Sequence, residues 1–85
     1  MFNKCKCCIT FYKCKKDGET IADSSIFAML ANIREKYNFQ IVSCKLHGST
    51  WASEIIIKCN KKEKQSIIFS FIGLINDWIE CIEIV

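Results

Sequence analysis

The stretch Lys4-Cys5-Lys6-Cys7-Cys8-Ile9-Thr10-Phe11-Tyr12-Lys13-Cys14 alternates, with Cys5, Cys7, Ile9 and Phe11 on one side and Lys4, Lys6, Cys8, Thr10, Tyr12 and Cys14 on the other. A period of two is that of a half-buried strand, so the chain is expected to open with β-structure. Lys15-Lys16-Asp17-Gly18-Glu19 has turn chemistry, and several capping residues between Thr20 and Ser25 predict a helix start there. Ile26, Leu30, Ile33 and Tyr37 then recur at helical spacing as one narrow apolar stripe. Phe39 to Leu46 and Trp51 to Cys59 are rich in β-branched and aromatic residues and flank the small polar stretch His47-Gly48-Ser49-Thr50, which predicts a hairpin. Val42, Cys44 and Leu46 are expected to share one face of it, as are Ile55, Ile57 and Cys59. Lys61-Lys62-Glu63-Lys64 opens a second helix to about Asn76, and Trp78 to Val85 reads as a fourth strand. The order strand, helix, strand, strand, helix, strand is the split βαβ pattern. It predicts an α+β fold: a two-layer ferredoxin-like βαββαβ sandwich, with a four-stranded antiparallel sheet and two helices on one face.

Eighty-five residues allow one domain, expected over 1–85, with a hydrophobic share of 51% sufficient for a core without staples. There is no proline and there are only three glycines, so disorder is not expected. Seven cysteines would suggest a disulfide framework in a secreted chain, but the odd count and the lack of an apolar leader stretch behind Met1-Phe2-Asn3-Lys4 point to a reducing cytoplasm. The second helix has an apolar core, Ile67 to Ile75, too short for a membrane span of about 20 residues. No membrane role is expected.

The net charge of +3 is unevenly spread: residues 1 to 16 carry five lysines and no acid, whereas 65 to 85 carry Asp77, Glu80 and Glu83 and no base. Arg34 is the sole arginine, which disfavours bidentate reading of guanine or phosphate. Lysines at the start can attract polyanions nonspecifically or simply form a solvated face. The acids show no paired arrangement, no Ser/His/Asp or Cys/His set assembles, and no glycine-rich phosphate loop is present, so an enzyme is not expected.

The cysteines admit three readings: buried thiols acting as small hydrophobes, a zinc site, or a redox role. Were residues 5 to 14 one strand, Cys5 and Cys14 would lie about 30 Å apart and could not share a metal. A third strand antiparallel to the first brings Cys59 to the start of that strand, and a fourth strand on its other side delivers Cys81. Cys5, Cys7, Cys59 and Cys81 are then one candidate ligand set. Cys5 with Cys8 as a knuckle pair, with Cys59 nearby, is the other. His47, the only histidine, is expected to be exposed beside the hairpin loop. The heavy-metal-binding version of the predicted fold carries its cysteine pair in the first loop; here Lys15 to Glu19 has none, so a copper chaperone is not expected.

Placed at 100° intervals, Ile67, Ile68, Phe69, Phe71, Ile72, Leu74 and Ile75 cover an arc of about 220°, more than one sheet contact needs. Phe69 sits at its edge. Either a partner or homodimer surface is present, or the long first loop and Trp78 cover the surplus. The candidate partner-binding residues are Phe69 together with Lys4, Lys6, Tyr12, Lys13, Lys15 and Lys16.

The predicted topology also serves RNA recognition motifs, but on the open face of the sheet the first and third strands offer only Tyr12 for stacking, and no RNP-like pattern is present. The run from Glu54-Ile55-Ile56-Ile57 through Phe71-Ile72-Gly73-Leu74 is similar to a strand, helix and Gly-Leu exit of small translation initiation factors, which implies a nucleic-acid-binding or translation-associated α/β protein. In length, single-domain economy and AT-rich residue usage the chain resembles the anti-CRISPR proteins, small inhibitors that phages and mobile elements encode. That resemblance, one of size and composition, implies a non-enzymatic cytoplasmic protein that inhibits a host defence nuclease by occupying its surface. The basic start would then fill a nucleic-acid channel, or the acidic end would mimic phosphate.

Overall fold

The computed structural model describes residues 3–13, 20–48, 51–75 and 79–84, with side chains up to Gly73 and the backbone alone for 74–75 and 79–84. The first strand, β1, spans Lys4–Phe11; it pairs antiparallel with β3, Ser53–Asn60, so that Cys5 faces Cys59, Cys7 faces Ile57 and Ile9 faces Ile55. Strand β2, Phe39–Lys45, pairs antiparallel on the other side of β3. Alternation then buries Cys7, Ile9, Phe11, Ser53, Ile55, Ile57 and Cys59 on one face. Lys4, Lys6, Glu54 and Lys58 occupy the positions between them, on the opposite face.

Helix α1, Asp23–Lys36, begins after Ala22, which supplies no side-chain cap; Ile26, Met29, Leu30 and Ile33 form its buried stripe. Helix α2, Lys64–Ile75, buries Ile67 and Phe71, and both helices cover the Cys7 face of the sheet. Tyr37, predicted on the stripe, ends α1 and is half-buried, its N–H returning to the Ile33 carbonyl at 3.0 Å. Arg34 lies 6.0 Å from the centroid of the Phe39 ring, at the limit of a cation–π contact, where α1 hands over to β2.

Two departures from the sequence reading follow from register. In β2 the pairing shifts between Ile41, opposite Ile57, and Ser43, opposite Ile56, which leaves Val42 as the extra residue of a bulge. Val42 is 45% exposed, and Ile41 and Cys44 take the core-side positions instead. The grouping of Val42 with Cys44 and Leu46 on one face is therefore corrected.

The predicted ferredoxin-like sandwich with its regular four-stranded sheet is corrected too. Within this α+β fold the regular antiparallel ladder is three-stranded, β1-β3-β2, and the last segment of the chain joins it only as an irregular edge on β1. Of the segment predicted as a strand over Trp78 to Val85, the described part is β4, Ile79–Ile84. It lies antiparallel along the outer edge of β1 from Cys7 to Phe11 only, and its register breaks between Thr10 and Phe11. The cause is a phase slip in the sequence. Ile84 and Ile82 pair with Cys7 and Ile9, and an unbroken count would then set Glu80 opposite Phe11. Ile79 takes that place instead, and Glu80 is left without a register partner on β1. The apolar pattern of 79–84 is thus carried by a bulged edge rather than a regular strand.

Candidate functional site

Three of the predicted metal-site cysteines come together. Cys5 and Cys7 are two apart on β1 and so share a face, and the register sets Cys59 opposite Cys5. The three Sγ atoms all lie within 4.8 Å of one another, with Cys5 Sγ and Cys59 Sγ 3.9 Å apart. Cys7 and Cys59 are buried and Cys5 is half-buried, so the cluster meets solvent at Cys5. Burial pushes the Cys7 thiol up, with Cys5 adding to the effect and Lys64 opposing it. Burial, then hydrogen bonding to Cys5, pushes the Cys59 thiol up to about 12. The buried thiols are therefore protonated at neutral pH, and the natural chemistry of the cluster is to exchange protons for a thiophilic metal or to pack as small apolar groups.

The other two predicted ligands lie elsewhere. Cys8 alternates to the opposite face, where its Sγ is 3.9 Å from Thr10 Oγ1, so the Cys5 and Cys8 knuckle is not formed: β1 is already extended at Lys4. Cys81 is the register partner of Thr10, three residues from Ile84, the partner of Cys7. Three residues are about 10 Å of strand, beyond what one metal spans. Cys14 lies outside the described residues. Cys44 is half-buried on β2, its thiol pushed up by burial and by Asp23.

The predicted partner-binding residues divide between two surfaces. Lys4 and Lys6 are exposed on the sheet face turned away from the helices, and Tyr12, just beyond β1, is 37% exposed. Lys6 stands directly opposite Lys58, a like-charge pair that costs stability unless an anion sits near it. Lys13 is paired with Asp23 at the start of α1 instead of projecting freely. Lys15 and Lys16 lie outside the described residues, as does Trp78, one of the two covers expected for the apolar arc of α2. Phe69 is 61% exposed on α2, in the helical layer on the other side of the molecule. The lysines and Phe69 therefore do not form one surface, because strand alternation turns Lys4 and Lys6 away from the face that the helices cover.

Sequence reasoning missed the groove between the helices. Asn32, Ile33 and Lys36 of α1 and Ser70 and Gly73 of α2 line a volume of about 310 Å³. Gly73 and Ser70, three apart on α2, were the signal available, since small residues at that spacing thin one side of a helix. It also missed Ser53, fully buried, whose Oγ accepts the His47 N–H at 2.9 Å and anchors the hairpin. Comparison with protein-family models, curated proteins and solved structures finds no match to this chain. Among the described residues, no helix is long and apolar enough to cross a membrane.

Proposed function

We propose that this chain is a small, non-enzymatic, cytoplasmic interaction protein that inhibits or regulates a protein partner by occupying its surface. The observation that carries the reading is Phe69, a large apolar side chain 61% exposed on the helix that also lends Ser70 and Gly73 to the groove. A protruding aromatic next to a shallow groove offers both a knob and a socket, the combination that gives interfaces their energetic centre. On the resemblance of size and composition alone, the partner class is a host defence nuclease.

Photo-crosslinking tests the reading. A benzophenone side chain is placed at Phe69 and, as a control, at Gln40 on the sheet face, in cells that make the protein. One discrete adduct from position 69 and none from position 40 supports it. Equal or absent labelling at both positions refutes it, and an adduct with a second copy of the chain makes the partner a homodimer.

A second reading, nucleic-acid binding through the sheet face, is favoured by one observation: Lys6 opposite Lys58, with Lys4 and Lys45 on the same face and Glu54 as its described acid. Affinity for RNA or DNA that falls steeply with salt, and that Lys6→Glu removes, would establish it.

A further inference from the structure

The geometry points to Cys5, Cys7 and Cys59 as a three-thiolate site for a zinc-class cation, with the fourth coordination position open to an exogenous ligand at the Cys5 side. A tetrahedral site with Zn–S bonds of about 2.3 Å sets its sulfurs about 3.8 Å apart. The Cys5–Cys59 separation is 3.9 Å and no pair exceeds 4.8 Å, so side-chain rotation of less than about 1 Å completes the triangle. The backbone needs no change, because two rigid paired strands already hold all three residues on one face.

Among the described residues no further histidine, cysteine or carboxylate joins the cluster, so the fourth ligand comes from solvent or a bound molecule. Three bound thiolates around a divalent ion leave one net negative charge. Lys64, at the start of α2, lies near enough to favour the ionised form of Cys7 and so offsets that charge. Metal binding takes thiolates, so each ion that enters displaces protons from the thiols, up to about three. Cys5 and Cys59 belong to the first and third strands, so the metal would also tie the start of β1 to the end of β3. This inference does not rest on the partner surface, since Phe69 lies in the helical layer and contributes nothing to the site.

The test uses the reduced 85-residue chain and Co²⁺ as a spectroscopic probe, followed by displacement with Zn²⁺. The expected result is a thiolate-to-cobalt charge-transfer band saturating at one equivalent, release of about three protons per ion in unbuffered solution, and loss of the band on adding Zn²⁺. Cys5→Ser, at the half-exposed position, weakens the band by about a third and lowers affinity, whereas Cys8→Ser on the opposite face leaves both unchanged. Should Cys5→Ser fail to fold, alkylation of the wild-type protein decides: Zn²⁺ slows modification of Cys5 and leaves Cys8 and Cys44 as they were. Absence of the band, release of fewer than two protons, or zinc-independent alkylation of Cys5 overturns the site. So does a disulfide in reductant-free protein, about 2 Da lower in intact mass, that peptide mapping places between Cys5 and Cys59 and that persists at saturating Zn²⁺.

Discussion

Phe69 and Phe71 stand two residues apart on α2 and meet opposite surroundings: Phe69 is 61% exposed and Phe71 is fully buried against the sheet. Two positions on a helix are about 200° apart, so one aromatic serves the core and the other faces outward. Phe71→Ala is expected to cost about 3–5 kcal/mol, and Phe69→Ala to stay within about 0.5 kcal/mol, by urea denaturation. Phe69→Ala nonetheless abolishes partner capture by a benzophenone moved to Asn32, on the groove. Equal stability losses for the two would show that Phe69 is packed and remove it as a contact residue.

Lys6→Glu turns the like-charge pair with Lys58 into an opposite-charge pair. Thermal unfolding should show a gain of roughly 0.2–1 kcal/mol, diminishing in high salt. Lys13→Ala, which breaks the pairing with Asp23, should instead lower stability slightly and leave polyanion binding unchanged.

The buried thiols make stability fall at high pH. Cys59 holds its proton in the folded state up to about 12, against about 9 in the unfolded chain. Between those values the folded state binds more protons, so the stability present below pH 9 is lost as pH rises, on the order of 1 kcal/mol per pH unit for such a thiol. Cys7, also raised, acts in the same direction. Cys59→Ala should flatten the decline between pH 9 and 12 in chemical denaturation; an unchanged slope would place its origin elsewhere.

Ser53→Ala removes the acceptor of the His47 N–H. Because His47 is exposed and water can replace the lost partner, the expected cost is about 1 kcal/mol, read as a lower urea midpoint with an unchanged slope.

The alternation of residues 4 to 11 and of 53 to 60 was legible because each strand buries one face, and it carried the pairing of Cys5 with Cys59 with it. The side on which Lys4 and Lys6 emerge followed from the same period. Val42 was not legible: the run from Phe39 to Leu46 reads as unbroken β-sequence, and a bulge is decided by how β2 meets β3, not by β2 alone. The slip between Ile79 and Ile82 was present in the sequence, but its meaning depends on β1 as the partner. Cys8 is a ligand candidate only if a knuckle over residues 4 to 8 delays the strand to Ile9, a choice that the sequence leaves open; β1 is extended from Lys4, so Cys8 turns to the face opposite Cys5 and Cys7. The groove at Ser70 and Gly73 needed the relative placement of two helices, which neither helix encodes.

The bulge at Val42 lies on β2, the strand that ends the sheet on the side away from β1. An incoming strand could match the hydrogen-bonding rhythm of Phe39–Ile41 or that of Ser43–Lys45, but the extra residue puts the two out of step. The rim is thus a poor template for copying strand upon strand, and the protein carries in one inserted valine a safeguard against fibrous self-assembly.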